Sequence, residues 1–294
     1  MKPISLIIPH IARNNNLLKQ NLPYILTNIQ PNKIYILTKK ETIKDLNILN
    51  SSNITIIDED KVLNGLTFEK IRSLLEKNNI VQTRTGWFFQ QFLKFAWALH
   101  QDADEYYVTW DSDTFPLRPI SFFNDNKPIF IQKEEYNPAY FETIEKLLHI
   151  KKSLPDSFIA ETMVFKTSIV KEIITKIESN EEINGSTFYE KILNAIIFSQ
   201  NPYKGYSEFE TYGTYVSNFY PDLYSFRKSS GFRNGAKYYG LTPSDKDLYR
   251  ASLKYDIISF ERWNTQIKTF INLQKKISNL VYLLSQKKDD NQFK

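Results

Sequence analysis

Short apolar runs rich in Ile and Leu alternate with longer segments of helical periodicity along the first third of the chain. In order, these stretches are "ISLIIP", "LLKQNLPYILTNI", "KIYILT", "KDLNIL", "NITIID" and "FEKIRSLLEK". Alternating strand and helix patterns predict βαβ units, in which a mainly parallel sheet is covered by helices on its faces. We therefore expect an α/β fold of the nucleotide-binding kind.

The next helical segment, "TGWFFQQFLKFAWALHQ", has two different faces. An apolar stripe, which should pack on the sheet, comprises Phe88, Phe92, Phe95 and Leu99. A mostly polar face comprises Trp87, Gln90, Gln91 and Lys94. In a βαβ unit, a helix that precedes a strand begins near the carboxyl edge of the sheet, where such folds bind ligands. We therefore expect Arg84 to Lys94 to lie near the residues that follow the next strand.

Comparable patterns continue downstream. Strands are predicted at "KPIFIQ", "ETMVFK" and "YDIISF", and helices at "SIVKEIITKIE", "TFYEKILNAII" and "YSEFETYGTYVSNF". A final helix is predicted from about Trp263, because apolar residues recur at steps of three and four at Phe270, Leu273, Ile277, Leu280 and Leu284. We expect residues 1–240 to form the ligand-binding and catalytic domain, and residues 241–294 to form a C-terminal extension that packs on it.

The predicted strand "EYYVTW" runs directly into two acidic residues, Asp111 and Asp113, separated by Ser112. Neighbouring carboxylates repel each other unless a cation lies between them. A divalent cation that is shared with the phosphates of a ligand turns this repulsion into coordination. The alternative is a solvated turn, because Asp is common in turns.

The composition excludes several kinds of site. The chain of 294 residues contains no cysteine, which excludes disulfides, a thiolate nucleophile and a zinc–thiolate centre. Neither G-x-G-x-x-G nor G-x-x-x-x-G-K-[ST] occurs, so the dinucleotide and P-loop fingerprints are missing. A formal net charge of +5 favours anionic ligands without choosing among them.

Four blocks in this order, "GWFFQQFLK", "YYVTWDSDTFPLRP", "SFIAETMVF" and "GYSEFETYG", resemble the bacterial glycosyltransferase-like proteins of lipopolysaccharide and capsule loci. The likeness covers about Ile4 to Arg233. It implies a GT-A-like, Rossmann-type mixed sheet flanked by helices, with a C-terminal helical extension. It also implies Mn²⁺ or Mg²⁺, a nucleoside-diphosphate sugar as donor, with UDP favoured, and a saccharide or lipid-linked acceptor.

The resemblance assigns residues to the donor and the metal. It makes Asp113 the direct metal ligand, and Asp111 a second ligand through a metal-bound water or a contact to the donor's ribose, with Ser112 beside them. It places Pro9 to Arg13 at the edge of the nucleotide pocket, where His10 and Arg13 are expected to be exposed. A surface or capping role is the alternative for His10.

Gln91 and Lys94 are expected to face the donor, with Lys94 balancing phosphate or sugar charge. An ordinary solvated helix face is the alternative. Trp87 and Trp110 are candidates for stacking on a sugar ring, although Trp more often lies in the core or at a rim.

An inverting transferase needs a carboxylate base, and inversion is the outcome that we favour. We choose Glu208, with Glu210 as second candidate; residues two apart do not share a helix face, so at most one should reach the cleft. The alternative is that both are acids favoured at a helix N-terminus. Glu161 is a further candidate for binding the hydroxyls of acceptor or donor.

A basic loop with glycine hinges follows the predicted helices. It contains Arg227, Lys228, Gly231, Arg233, Gly235 and Lys237. We expect Arg233 and its neighbours to close over the diphosphate, and the alternative is a solvated loop. No histidine follows His149, so a late histidine ligand, which many such enzymes use, is missing and the third metal ligand stays open.

The location of the protein follows from its apolar segments. No stretch has the roughly 20 apolar residues of a spanning helix, and the N-terminal run, broken by Pro9, reads as a buried strand and not as a signal peptide. We expect a cytoplasmic protein. Packing of the final helix on the core or on a second subunit is favoured over contact with the inner membrane.

Two other functions remain open. A phosphatase of the haloacid-dehalogenase type uses D-x-D-x-[TV], but Phe115 stands at the last position of that motif. A non-catalytic carbohydrate-binding or nucleic-acid-binding protein is the other alternative. The basic residues are scattered along the chain, which counts against nucleic acid.

Overall fold

The structure of the chain is a computed structural model that describes residues 4–49, 51–78, 82–196 and 205–261. The helix predicted from Trp263, with its apolar stripe and its proposed contacts to a second subunit or a membrane, lies outside the described residues. No helix within the described ranges is long and apolar enough to cross a membrane.

Strands and helices alternate along the described chain. The strands are β1 (Ser5–Pro9), β2 (Lys33–Thr38), β3 (Ile54–Asp58), β4 (Tyr106–Trp110), β5 (Thr114–Pro116), β6 (Phe123–Asn124), β7 (Lys127–Gln132), β8 (Thr162–Lys166), β9 (Ser225–Lys228), β10 (Gly231–Phe232) and β11 (Ile257–Ser259). The α-helices are α1 (Asn15–Asn28), α2 (Lys40–Leu46), α3 (Phe68–Lys77), α4 (Thr85–Ala96), α5 (Pro138–Leu148), α6 (Thr167–Ser179), α7 (Phe188–Ala195), α8 (Glu208–Phe219), α9 (Gly235–Tyr239) and α10 (Asp245–Ser252).

The central sheet has the order β3-β2-β1-β4-β8. The first four strands are parallel to one another, and β8 is antiparallel to β4. This confirms the predicted α/β class, a mixed and mainly parallel sheet flanked by helices. Two smaller sheets, β10-β11-β5 and β6-β7-β9, complete the described fold.

Both faces of the central sheet are buried, because apolar side chains that alternate along each strand pack on helices of opposite layers. On one face, Leu6 and Ile8 belong to the same core cluster as Leu18 and Leu22 of α1. On the other face, Ile7 belongs to the cluster that contains the aromatic stripe of α4. Burial on both sides explains why the strand sequences read as continuous apolar runs.

The strand order reverses at β1. The chain passes from β1 to β2 and β3 on one side, and then returns to place β4 on the other side of β1. In open α/β sheets, ligands bind outside the carboxyl ends of the strands at such a reversal. The residues that follow β1 and β4 therefore flank the expected binding crevice.

Two observations change the predicted picture of the elements. Leu99 was expected in the buried stripe of α4 but is 39% exposed, because α4 ends at Ala96 and a 3₁₀ turn then breaks the spacing. The predicted strand "YDIISF" is β11, which pairs with both β5 and β10. The start of the predicted C-terminal extension is therefore hydrogen-bonded to the strand that follows Asp113.

A capping contact on α7 gives a pH-dependent prediction. Burial raises the pKa of Glu190, but hydrogen bonds from Lys70 and Ser186 outweigh it and hold the pKa at about 2. This contribution to stability is complete above the unfolded pKa of about 4.3 and is lost as the pH falls toward 2. We expect Glu190→Gln to lower the free energy of unfolding by about 1 kcal/mol at pH 7, and by less at pH 3.

Urea denaturation at pH 7, 5 and 3 measures this difference. Glu69→Gln is the control, because Glu69 is 67% exposed and its pair with Arg72 is a surface pair, which contributes little. An equal loss of stability for Glu190→Gln at pH 7 and pH 3 would contradict the prediction.

Candidate active site

The turn between β4 and β5 carries Asp111, Ser112 and Asp113 to the carboxyl edge of the sheet. The amide of Thr114 donates to the carbonyl of Asp111 at 3.0 Å, and the amide of Phe260 donates to the carbonyl of Asp113 at 2.9 Å. One hydrogen bond within the turn and one from the residue that follows β11 thus fix the backbone of the turn. Ser112 is buried, while both carboxylates remain partly accessible.

Negative charge is in excess around Asp113. Burial, followed by the neighbouring carboxylates of Asp111 and Glu261, raises the pKa of Asp113 to about 7, although Arg13 acts to lower it. Asn14 donates to the carboxylate through its side-chain amide, at 3.4 Å. A carboxyl surrounded by other carboxyls is relieved by a cation, and the oxygen donors present suit Mg²⁺ or Mn²⁺.

The two aspartates would complete such a site only together with a ligand. No group of three or more His, Cys, Asp or Glu side chains within the described ranges is arranged to hold a metal ion. Protein carboxylates that bind Mg²⁺ commonly leave the remaining positions to water and substrate phosphate. The residues therefore fit a cation that is shared with a phosphorylated ligand, and they do not form a closed metal cage.

Lys94 lies between two acids that are far apart in sequence. Its ammonium is 3.2 Å from Oδ1 of Asp111 and 3.0 Å from Oε1 of Glu208, and the side chain is 3% exposed. The ring of Phe209 lies 4.6 Å from the same nitrogen. Burial lowers the pKa of Lys94, but the two carboxylates outweigh burial and raise it above its ordinary value. This environment differs from the predicted contact with donor phosphate.

Gln91 lies one turn before Lys94 on α4 and is also buried. Its side-chain oxygen accepts from the backbone amide of Glu208 at 3.2 Å, and its side-chain nitrogen donates to the carbonyl of Trp87 at 3.2 Å. Glu208 begins α8, and its amide is among the first N–H groups of that helix, which lack partners within the helix. The polar face of α4 is therefore turned toward α8 as well as toward Asp111.

Glu208 and Glu210 point to different surroundings, as expected for residues two apart on a helix. Glu210 is buried and accepts hydrogen bonds from the hydroxyl of Ser157 and from the amide of Phe158, the latter at 3.1 Å. Burial raises the pKa of Glu210, and these hydrogen bonds oppose the rise. Glu210 anchors the loop before β8, and Glu208 is the acid that the structure joins to Asp111.

A second group of charges lies beside the turn. Glu161 is buried and accepts from Lys133, and within the described chain its Oε2 has no hydrogen-bond partner. Arg233 pairs with Glu261 at 3.0 Å and with Glu135 at 3.1 Å. Arg233, in the predicted closing loop, is therefore held by two ion pairs, and it is also close enough to Glu161 to interact with its charge.

The residues after β1 divide into buried and exposed positions. Pro9 ends β1 and is buried. His10 was expected to be exposed, and this is wrong: it is 2% exposed. Its amide donates to the carbonyl of Leu37 near the end of β2, its Nε2 lies 2.7 Å from Oδ1 of Asn15, and burial lowers its pKa. Arg13 is exposed, as expected, and its positive charge acts to lower the pKa of Asp113.

The two candidate tryptophans also differ. Trp110 is 0% exposed, its indole nitrogen donates to the carbonyl of Thr114 at 2.7 Å, and it packs in the core, so stacking on a sugar is ruled out for it. Trp87 is half-buried, with the guanidinium of Arg84 4.6 Å from its ring. Trp87 thus remains the candidate for contact with a ligand.

Several residues of the site were missed by the sequence reasoning. They are Asn14, Lys133, Glu135, Tyr140 and Glu261. Asn14 ends a 3₁₀ turn, Tyr140 lies on α5, and Lys133 and Glu135 follow β7. Glu261 follows β11, and apolar periodicity does not reveal the pairing of β11 with β5. The one signal available was Glu261 directly after the predicted strand "YDIISF".

Comparisons with known proteins give one family and several structures. A model described as "Family of unknown function (DUF6492)" matches residues 1–221. No curated protein matches the chain.

Solved glycosyltransferase structures resemble the chain weakly. The galactosyltransferase LgtC, in complex with donor and acceptor sugar analogs, has 10% identity and a TM-score of 0.43 over 93% of this chain and 96% of that one. Mouse xyloside xylosyltransferase 1, in its apo form, has 12% identity and a TM-score of 0.42 over 90% and 99%. The bifunctional WbbM has 13% identity and a TM-score of 0.44 over 88% and 45%. These likenesses are too weak to assign an activity to this chain.

Gly231 gives a prediction about the second charged group. A Cβ at this position would lie 2.8 Å from Oε2 of Glu161, whose carboxylate is buried against it. We expect Gly231→Ala to displace this carboxylate and lower the free energy of unfolding by about 1–3 kcal/mol. Urea denaturation measures the loss.

Two further variants make this test specific. Gly86→Ala is the matched control, because a Cβ there meets Phe68 only at 4.0 Å and α4 should gain up to about 1 kcal/mol. In a Glu161→Ala background the effect of Gly231→Ala should largely vanish. An undiminished loss in that background would show that the clash is not with Glu161.

Proposed function

This chain belongs to the DUF6492 family, whose function is unknown, and we propose that it is a metal-dependent glycosyltransferase. It moves a sugar from a nucleoside-diphosphate donor, with UDP favoured, to a saccharide or lipid-linked acceptor. The observation that carries the proposal is a pair of carboxylates at the reversal of the strand order, joined through Lys94 to a separate buried acid, Glu208.

The first half of this arrangement suits a diphosphate. Asp111 and Asp113 lie where α/β sheets bind ligands, and burial, together with the carboxylates of Asp111 and Glu261, raises the pKa of Asp113. The two aspartates would hold Mn²⁺ or Mg²⁺, which when bound supplies positive charge to the departing nucleoside diphosphate. Pro9, Arg13 and Asn14 border the same crevice and would contact the nucleotide.

The second half suits acceptor activation. Lys94 pairs with Oε1 of Glu208, which leaves Oε2 for an acceptor hydroxyl. In the proposed step this carboxylate takes the hydroxyl proton, and the acceptor oxygen bonds to the anomeric carbon. The bond from that carbon to the diphosphate oxygen breaks, and its electron pair leaves with the nucleoside diphosphate. Attack from the face opposite the leaving group inverts the anomeric configuration.

The remaining charged residues are assigned to the sugars and the phosphates. Glu161 has a buried oxygen without a partner in the described chain and would accept from a sugar hydroxyl, while Trp87 would cover a sugar ring. When the loop closes, Arg233 would leave one of its two carboxylate partners, Glu135 or Glu261, and bind phosphate in its place.

The sequence resemblance supports a place for this reaction in bacterial surface polysaccharide synthesis, at the cytoplasmic side of the inner membrane. The phosphatase alternative is not favoured, because the motif position that calls for Thr or Val is Phe115, buried in an apolar cluster. A non-catalytic carbohydrate-binding protein would not require a buried acid joined to a candidate metal ligand.

Nucleotide binding tests the proposal directly. We expect UDP, GDP or CDP with Mn²⁺ to raise the melting temperature by about 5 °C at a concentration 100-fold above Kd, and to have little effect without the metal. Asp113→Ala should abolish the shift, whereas Asp222→Ala, which changes an exposed aspartate in a turn, should retain it. Indifference of the native chain to all three nucleotides, with and without Mn²⁺, would sink the proposal.

A further inference from the structure

Gln91 and Lys94 contact the same residue of α8 in two ways. Gln91 accepts from the backbone amide of Glu208, and Lys94 pairs with its carboxylate. The two side chains are three positions apart on α4 and therefore project from neighbouring turns of one helix face. Together they fix both the main chain and the side chain of Glu208.

The same ammonium also holds Asp111. Its nitrogen is 3.2 Å from Oδ1 of Asp111 and 3.0 Å from Oε1 of Glu208, so both oxygens are within ion-pair distance of one atom. A buried charge of this kind is stable only when it is paired, and removal of one partner leaves the others uncompensated. The positions of the two acids are therefore coupled through Lys94.

Contact with donor phosphate is a poor alternative role for this lysine. The side chain is 3% exposed, and its surroundings are two carboxylates and the ring of Phe209. Phosphate would reach the ammonium only if one of these groups moved away. Gln91 is likewise buried, with both ends of its amide already hydrogen-bonded.

We propose that Gln91 and Lys94 are positioning residues, which fix Glu208 relative to Asp111 and do not contact the donor. This inference rests on the proposed function and adds how the base is placed beside the metal and the diphosphate. Correct placement within hydrogen-bond reach is a condition for general base catalysis.

A double-mutant cycle on donor hydrolysis tests this role. The variants are Lys94→Met, Glu208→Gln and the combination of the two, and the assay follows hydrolysis of UDP-glucose, UDP-galactose and GDP-mannose with Mn²⁺ in the full chain. We expect each single change to lower kcat by about 10²-fold or more, since this is the scale of general base catalysis. The combination should be no slower than Glu208→Gln alone, and KM for the donor should stay within about twofold in Gln91→Leu, because the hydrogen bonds of Gln91 go to Glu208 and Trp87.

Two other variants make the cycle informative. Lys191→Met is the matched control, because Lys191 is a buried lysine on α7 whose ammonium donates to the carbonyl of Asn180, which is not a candidate site residue. The fold-change in kcat caused by Lys191→Met should be the same in the native chain and in the Glu208→Gln background. Gln91→Leu removes the other contact to Glu208 and serves if Lys94→Met does not fold; its effect on kcat should likewise vanish in the Glu208→Gln background.

The outcomes separate this inference from the proposed function. Independent, multiplicative effects of the Lys94 and Glu208 changes would overturn it, and so would a large rise in KM or loss of UDP binding in Gln91→Leu, since the hydrogen bonds of Gln91 go to Glu208 and Trp87. A native chain that is stabilised by UDP or GDP with Mn²⁺ but hydrolyses none of the three donors also overturns it, because a positioned base would activate water. If the native chain binds no nucleotide, the result contradicts the proposed function itself.

Discussion

A single buried ammonium joins the parts of the candidate site. Lys94 lies on α4, Asp111 follows β4 and Glu208 begins α8, and the ammonium of Lys94 contacts both carboxylates. Without the positive charge, two acids would face each other in a poorly hydrated place, and each would repel the other. The helix that carries Lys94 is itself held by its aromatic stripe, so core packing and site geometry depend on the same element.

The charges around this ion pair are distributed unevenly. Lys94 compensates the side of the site that contains Glu208, whereas Asp113 is left beside the carboxylates of Asp111 and Glu261. Such an arrangement makes the electrostatic potential negative at one edge of the crevice, which favours binding of a cation there. The matched family region ends at residue 221, so Arg233 and Glu261, which complete this charged edge, lie beyond it.

The sequence reasoning succeeded where one element decides the outcome. Periodicity located the strands of the central sheet and most helices, but it missed the short strands β5, β6, β9 and β10. The topology of βαβ units brought the polar face of α4 toward Asp111. Exposure was predicted wrongly at the ends of elements: His10 after β1 and Trp110 at the end of β4 are buried, and Leu99 is exposed because α4 ends before it. Arg233 was predicted, but its pair with Glu261 was not, because that pair depends on the pairing of β10 with β11, which local patterns do not encode.

The pairing of β5 with β11 also orders events during synthesis of the chain. The hydroxyls of Thr114 and Ser259 lie 2.7 Å apart across a separation of 145 residues, and the carbonyl of Asp113 is held by the amide of Phe260. Because synthesis proceeds from the N-terminus, the parallel strands of the central sheet leave the ribosome long before β11 does. The acidic turn therefore reaches its final geometry late, and a nascent chain does not have the complete candidate site until nearly all of the described residues have been made.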